Sequence, residues 1–209
     1  MVSAVILLAD GTEEIEFITP YDVLTRAGFQ VKSVGVDLKT SNYATCSRNA
    51  RIVPDVPSAK SIASDSPVDI LVLPGGGPGA KTFCGSSEVL QLIRKYRQAD
   101  KYVAFICAGT TALVASVNDA GSGNLGMKCK VTSHPSVKDE IVKAGWDYAD
   151  ESERVVVDGK VITSRGPGTA MLFSLTIVEC VLGREKRDEI AGPMVCAEGL
   201  MKTVESVKK

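Results

Sequence analysis

One cysteine stands where a thiol can react. Cys107 directly follows the apolar segment Tyr102–Ile106 and precedes Ala108-Gly109 and a run of helix-forming residues. A strand that passes into a helix with almost no loop must turn sharply, and the turn lifts the side chain at its apex out of the sheet. The N–H groups and dipole of the following helix favour a thiolate. The pattern predicts a nucleophile at Cys107, against the alternative of a buried structural cysteine.

The other five cysteines lack this context. Cys46 and Cys84 lie in loop-like segments, which favours exposure, but neither has a helix directly behind it. No pair forms C-x-x-C, and a chain of 209 residues does not need disulfides, so we expect reduced thiols. Because His134 is the only histidine, a His/Cys metal site would need scattered ligands, and we expect no metal.

A glycine-rich segment follows another apolar run. Pro74-Gly75-Gly76-Gly77-Pro78-Gly79-Ala80 contains a literal match to the dinucleotide pattern G-x-G-x-x-A. The match does not follow the first strand, and no acidic residue ends the next one, which disfavours a nucleotide site. We interpret the segment as a tight turn whose free N–H groups contribute to an oxyanion hole beside Cys107.

Glu16 and His134 are the candidate proton carriers. Glu16 lies between Ile15, Phe17 and Ile18, and an apolar setting would raise the pKa of its carboxyl. The alternative is a solvated carboxylate that pairs with the helix dipole. His134 follows a short apolar segment, where a base, an orienting group and a structural histidine are all compatible with the sequence.

Strands and helices alternate along the chain. The predicted strands are Val2–Leu8, Gln30–Val36, Val68–Leu73, Tyr102–Ile106, Lys130–Thr132, Val155–Val157 and Val161–Thr163, with short pieces near Cys46 and Arg51–Val53. One predicted helix starts at Gly11-Thr12-Glu13-Glu14 and ends before Gly28, and a second starts at Ser87-Glu88. Three more helices are predicted over Ala108–Val117, Ser136–Ala144 and Thr169–Leu182.

This order predicts one α/β domain over residues 1–209, with a mostly parallel sheet between two layers of helices. Asp158-Gly159 between β-forming residues predicts a hairpin. Ligand sites in such sheets lie beyond the carboxyl ends of the strands. We therefore expect Glu16, the glycine-rich segment, Cys107, His134 and residues 164–168 to meet at that edge.

Composition excludes some classes of partner. The formal net charge is −1, which gives no general attraction to nucleic acid or to an anionic membrane. No apolar stretch reaches the roughly 20 residues that a membrane-spanning helix needs. The first eight residues lack the basic start of a signal peptide and fit a core strand better. We expect a cytosolic protein.

Several segments together resemble a known family. In order along the chain they are Ala9-Asp10-Gly11-Thr12-Glu13-Glu14-Ile15-Glu16, Leu73-Pro74-Gly75-Gly76, Ile106-Cys107-Ala108-Gly109, Thr132-Ser133-His134-Pro135 and Thr163-Ser164-Arg165-Gly166-Pro167-Gly168-Thr169. They resemble the ThiJ/PfpI superfamily, in particular its branch of parkinsonism-associated deglycases, from Val5 to about Gly183. Cys46-Ser47-Arg48 resembles the second, peripheral cysteine of that branch.

The resemblance implies a flavodoxin-like fold, of the class I glutamine amidotransferase kind, and a homodimer. It implies that Cys107 is the nucleophile, Glu16 a protonated acid/base and His134 a nearby histidine. The implied oxyanion hole and pocket comprise Gly76 and Ala108, with Gly75, Arg48, Arg165 and Pro167. The resemblance implies no cofactor, neither a metal nor a nucleotide. It implies that the protein is found in the cytoplasm and also in the nucleus.

The implied function is that of a glutathione-independent glyoxalase, which converts a 2-oxoaldehyde such as methylglyoxal to lactate, with deglycase activity on glycated proteins and nucleotides. A redox sensor that works through oxidation of Cys107 is the alternative, and a chaperone is a third. The residues do not rank catalysis against sensing, because both need a reactive thiol. Ala108 stands where cysteine-protease relatives carry histidine, which weakens a protease interpretation.

This sequence departs from the pattern in four places. Phe105 is bulky where an elbow favours a small residue, and Thr110 replaces a proline. The segment Gly121–Lys128 is longer than in related chains, and the tail after Arg184 is less alike. The first two changes are expected to reshape the pocket.

Overall fold

A computed structural model describes residues 1–40, 42–62, 65–118, 128–200, 204 and 207 of the chain. Its strands are β1 Ser3–Leu8, β2 Gln30–Gly35, β3 Ala44–Thr45, β4 Arg51–Ile52, β5 Ile70–Leu73, β6 Tyr102–Ile106, β7 Lys130–Val131, β8 Asp147–Tyr148, β9 Val155–Asp158 and β10 Val161–Ser164. Its α-helices are α1 Glu14–Arg26, α2 Gly77–Gly85, α3 Ser87–Gln98, α4 Thr110–Asn118, α5 Lys138–Lys143, α6 Ala170–Leu182 and α7 Arg184–Ala191.

The central sheet has six strands in the order β2-β1-β5-β6-β10-β9. All neighbouring pairs are parallel except β9 with β10. Those two strands form the predicted hairpin, in which Asp158 pairs with Val161 and Gly159 has a φ of +57°. The mostly parallel α/β sheet that the sequence predicts is confirmed.

Helices cover both faces of this sheet, so its central strands are buried on both sides. On β1, Ala4, Ile6 and Leu8 belong to one hydrophobic cluster, which includes residues of α1, α6 and α7. The alternate residues Val5 and Leu7 belong to a second cluster, which includes residues of α2, α3 and α4. Two buried faces explain why the strand is a continuous apolar run and does not alternate with polar residues.

Three elements were not predicted. The second half of the glycine-rich segment, which was expected to be part of a turn, is helical, because α2 begins at Gly77. Pro78 stands in its first turn, where its missing N–H costs nothing. Asp147–Tyr148 forms β8, which pairs in parallel with β7. The tail forms α7, which packs on α6 and carries Arg187, a buried side chain that pairs with Glu179 at 3.4 Å. No helix in the described part of the chain has the length and apolar character to cross a bilayer.

Candidate active site

Cys107 lies at a strained turn where β6 ends. Its φ of +62° is in the left-handed region, which costs a residue with a side chain roughly 1–2 kcal/mol. A single 3-10 turn, Cys107–Gly109, connects the strand to α4. The structure thus has the sharp turn that the sequence predicts, and it leaves the Cys107 side chain only 8% exposed.

Gly109 lets this turn approach the neighbouring strand. A Cβ atom at this position would lie 2.6 Å from the carbonyl oxygen of Pro74 and 2.7 Å from that of Leu73. Only glycine can therefore bring the start of α4 against the end of β5. The close approach brings Cys107 next to the glycine-rich segment that follows β5.

Glu16 lies in the first turn of α1 and is fully buried. The backbone N–H of Gly75 donates to its Oε2 at 2.8 Å, and its carboxyl is hydrogen-bonded to the Cys107 thiol. Burial raises the pKa of Glu16 to about 7, although these two hydrogen bonds act in the opposite direction. A carboxyl with this pKa can both donate and accept a proton near neutral pH.

The raised pKa of Glu16 was predicted, but for the wrong reason. Its neighbours Ile15 and Ile18 are 52% and 49% exposed and do not enclose it. Residues that are adjacent in a helix point in different directions. Glu16 is instead buried against Gly75 and Cys107, two residues distant in sequence that the carboxyl ends of β5 and β6 bring together.

Glu16 and Cys107 titrate as a pair. Burial raises the pKa of Cys107 to about 12, and the charge of Glu16 and its hydrogen bond act in the same direction, whereas the N–H groups of Ala108 and Gly76 lower it. The N–H groups at the elbow thus lower the Cys107 pKa, as the sequence predicts, but burial and Glu16 outweigh them. Two buried negative charges side by side are unfavourable, so the pair keeps at least one proton near neutral pH. With that proton on Glu16, its charge no longer opposes a thiolate.

Two glycines make this contact possible. A Cβ atom on Gly75 would lie 2.7 Å from both the Cys107 Cβ and the Glu16 Oε2. Gly76 has a φ of +83°, and a Cβ there would lie 2.1 Å from the carbonyl oxygen of Gly11. The backbone of these glycines therefore fills the space that side chains would occupy between α1 and the thiol.

A cavity of about 710 Å³ opens beside the thiol. Six of the predicted site residues line it, namely Arg48, Gly76, Cys107, Ala108, His134 and Pro167. Gly75 and Glu16 are not in the lining, because Cys107 lies between them and the cavity. Arg165 is also outside the lining; it is half-buried, and its Nη1 has no hydrogen-bond partner among the described residues. The roles predicted for Arg165 and Gly75 in the pocket stay predictions.

His134 lines this cavity, and its ring is held by local contacts. The backbone N–H of Ser136 donates to Nδ1 at 3.2 Å, and the Ser136 hydroxyl is 2.8 Å from the same atom. Because Nδ1 accepts a hydrogen bond, a neutral His134 carries its proton on Nε2. Within the described residues no hydrogen bond joins His134 to Cys107 or Glu16. His134 is thus arranged as a donor and not as a base.

Sequence reasoning missed the wall that α2 contributes. Gly77, Ala80, Lys81 and Cys84 line the cavity with the spacing of one helical face. The signal was present, but it becomes visible only once Gly77–Gly85 is recognised as a helix. Cys84, expected in a loop, is in this helix, and its sulfur lies 3.3 Å from the Thr111 hydroxyl.

Cys46 was expected to be exposed, and it is buried. Only 4% of the residue is accessible, and its N–H donates to the carbonyl of Ala50. Burial, together with the charges of Glu14, Asp10 and Glu13, raises the pKa of Cys46 to about 11. The loop that carries it folds back onto the start of α1, which a local sequence pattern does not reveal.

The two unusual residues near the elbow do not reshape the cavity. Phe105 is fully buried in the cluster of α2, α3 and α4, because it points to the sheet face opposite Ile106. Thr110 is buried, and its hydroxyl donates to the carbonyl of Thr132 at 3.1 Å. Neither residue lines the cavity. Residues 121–127 of the longer segment lie outside the described residues.

The fold and the site together define a class: flavodoxin-like proteins with a cysteine at a strand-to-helix elbow beside a buried carboxyl. Comparison with known proteins gives the family. The profile of the DJ-1/PfpI family matches residues 2–180, and the chain belongs to this family.

Similar proteins match over almost their whole length. The chain is 39% identical to the Parkinson disease protein 7 homolog of Danio rerio, over 92% of this chain and 96% of that protein. It is 36% identical to the glutathione-independent glyoxalase DJ-1 of Schizosaccharomyces pombe, over 91% and 96%. The crystal structure of Drosophila melanogaster DJ-1beta superposes with a TM-score of 0.84 at 39% identity, covering 94% of this chain and 98% of that one.

Proposed function

We propose that this protein is a glutathione-independent glyoxalase that converts 2-oxoaldehydes such as methylglyoxal to 2-hydroxy acids. The observation that carries the proposal is the buried contact between Glu16 and Cys107, which places a proton carrier with a pKa of about 7 against a thiol. The fission yeast relative that is named a glutathione-independent glyoxalase supports the same activity.

The reaction begins with the thiol. The Cys107 thiolate adds to the aldehyde carbon of methylglyoxal, which forms a C–S bond and turns the carbonyl oxygen into an oxyanion. The N–H groups of Gly76 and Ala108, which lower the pKa of Cys107, face the region where this oxyanion develops. They stabilise the hemithioacetal.

Glu16 then moves a proton between two carbons. Glu16 first gives its proton to the oxyanion. As a carboxylate it then removes the proton from the first carbon to give an enediolate, in which a proton shifts from the first oxygen to the second. Glu16 returns its proton to the second carbon, which leaves a thioester of lactate on Cys107. Water hydrolyses the thioester and regenerates the thiol, so methylglyoxal and one water give one lactate. The Nε2–H of His134 would donate to the substrate oxygen from the cavity wall.

The test uses purified protein with methylglyoxal and no glutathione, and measures lactate. We expect lactate from the wild type and none from Cys107→Ser. No lactate at any protein concentration would refute the glyoxalase. The same assay on a methylglyoxal-treated peptide or nucleotide tests deglycase activity. In that reaction Cys107 would attack the carbon of the methylglyoxal adduct that was the aldehyde carbon.

The alternative is a redox sensor that works by oxidation of Cys107. The N–H groups of Gly76 and Ala108 and a protonated Glu16 would hold the oxygens of a sulfinate as they hold an oxyanion. A protein that forms sulfinate at low peroxide concentration but gives no lactate would favour this function.

A homodimer is part of the proposal. Ile15 and Ile18 are both about half exposed and present apolar surface on one face of α1. Ile18→Lys should give a monomer by light scattering, whereas Val142→Lys on α5 should not. A monomer mass for the wild type at micromolar concentration would refute the dimer.

Two further expectations complete the proposal. Residues 1–209 would form one domain, since α6 and α7 pack against the face of the sheet that α1 also covers, and a single cooperative unfolding transition would support it. The cytoplasm, with the nucleus as a second location, suits six cysteines that are all free. Imaging of a tagged chain would test that location.

A further inference from the structure

Two cationic side chains face the cavity beside Cys107. Arg48 follows β3, and its guanidinium donates to the carbonyl of Ser47 at 3.1 Å. Lys81 lies in the second turn of α2 and is exposed. In the described part of the chain, neither has a carboxylate within ion-pair distance. Their charges are therefore available to an anion that enters the cavity.

The cavity is longer than methylglyoxal requires. Gly77, Ala80, Lys81 and Cys84 line it along about two turns of α2, a distance of roughly 10 Å at 1.5 Å per residue. A volume near 710 Å³ lies in the range of sites that hold drug-sized ligands. A substrate whose aldehyde carbon meets Cys107 can therefore carry a tail along this helix.

The acidic residues of the lining limit where an anionic tail can end. Glu13 is engaged as the cap of α1, where its carboxylate accepts the N–H of Glu16 at 3.0 Å. Glu140 lies near Cys84, whose pKa is raised by burial and also by the Glu140 charge. The Cys84 end of the cavity is thus acidic, and the favourable position for an anion is beside Lys81 and Arg48.

From this arrangement we infer that the site prefers 2-oxoaldehydes whose tail ends in a carboxylate, with Lys81 and Arg48 as the residues that determine this specificity. The substrate class rests on the proposed glyoxalase function, whereas the attraction of anions to the cavity does not. The two can therefore be tested separately.

The first experiment measures anion attraction without turnover. Iodoacetate and iodoacetamide both alkylate a thiolate, with a C–S bond formed and iodide released, and differ only in a carboxylate or an amide. The ratio of their rates at Cys107, measured by mass spectrometry, should exceed the ratio for free N-acetylcysteine. Lys81→Met should lower it about 3-fold to 5-fold, the effect of one partly exposed charge pair.

Lys143→Met is the matched control. Lys143 is exposed on α5 and outside the cavity lining, and its removal changes the net charge equally. An equal drop in both variants would overturn the inference, because it would show only an effect of overall charge. A wild-type ratio no higher than that of N-acetylcysteine would also overturn it.

The second experiment tests the substrate class. The kcat/KM for 4,5-dioxopentanoate should exceed that for the neutral 2-oxohexanal, and Lys81→Met should reduce this preference about 5-fold. Glu140→Gln should increase it, since a competing negative charge is removed. A preference for the neutral substrate would overturn the inference while leaving the glyoxalase intact. A raised alkylation ratio without turnover of any oxoaldehyde would refute the glyoxalase and retain an anion site.

Discussion

Cys107 and Cys46 are both buried thiols near the start of α1, and their surroundings differ in one decisive way. Cys107 contacts a carboxyl whose pKa is raised to about 7, so that it is about half protonated at neutral pH, and two backbone N–H groups are directed at the Cys107 sulfur. Cys46 is near Glu14, Asp10 and Glu13. A thiolate beside a neutral carboxyl and N–H donors is stabilised, whereas one beside ionised carboxylates is repelled.

Hydrogen bonds keep the Glu14 carboxylate beside Cys46 ionised. Burial acts to raise its pKa, but hydrogen bonds from its own N–H, from the N–H groups of Arg48 and Ala50 and from the Ser47 hydroxyl lower it below the usual value. The same bonds attach the Cys46 loop to α1. Comparable burial thus gives two unlike cysteines, because hydrogen bonding sets the charge of the neighbouring carboxyl.

The largest effect should come from removing the sulfur of Cys107. Cys107→Ser should reduce lactate formation by about 1000-fold or more, since a serine hydroxyl is a far weaker nucleophile at neutral pH. Cys46→Ser and Cys84→Ser should keep most activity. If Cys84→Ser were the inactive variant, the reactive sulfur would have been assigned to the wrong side of the cavity.

Glu16→Gln should separate proton transfer from thiol reactivity. Turnover should fall by roughly 100-fold, the effect of losing a general base, while iodoacetamide still alkylates Cys107. Both rates are measured on one preparation. Near-normal lactate formation would remove Glu16 from the mechanism.

The same variant tests the raised pKa through stability. Because the pKa of Glu16 is higher in the folded protein, its contribution is complete below pH 4.5 and is lost as pH rises through about 7. Wild type should therefore lose about 3 kcal/mol relative to Glu16→Gln between pH 4.5 and pH 8. Urea unfolding of both proteins at several pH values measures this, and a constant difference would contradict the raised pKa.

Gly75→Ala should damage the contact without removing a reactive group. The added Cβ would collide with Cys107 and with the Glu16 carboxylate, so the two groups must separate. We expect about a 10-fold or greater loss of kcat, as for other small displacements of catalytic groups. Gly85→Ala is the control, since a Cβ there meets no atom within 4 Å. Equal activity of the two variants would show that the contact is not needed.

The smallest effect concerns the Cys46 environment. Glu14→Gln removes one of the charges that raise the pKa of Cys46 and weakens the loop attachment, so alkylation of Cys46 should become a few-fold faster. It should remain slower than that of Cys107. Asp22→Asn, an exposed charge elsewhere on α1, serves as the control, and the same acceleration there would show that local charge does not matter.

The sheet and the position of the reactive thiol could be predicted from local patterns in the sequence. Continuous apolar runs identify strands buried on both faces, and Asp158-Gly159 identifies the hairpin, because these are local properties of the chain. The junction Ile106-Cys107-Ala108 likewise predicts the elbow, since strand and helix signals adjoin there without a loop.

The surroundings of that thiol depend on contacts between distant parts of the chain and could not be predicted in this way. Helix α2 was not predicted, because its glycines have a low helix propensity that packing overrides. The cavity lining that includes Lys81 was missed for the same reason. The burial of Glu16 comes from Gly75 and Cys107, and the burial of Cys46 from the loop fixed by Glu14. Each of these contacts joins residues more than 30 positions apart, and the pKa of a side chain depends on neighbours in space that local patterns do not specify.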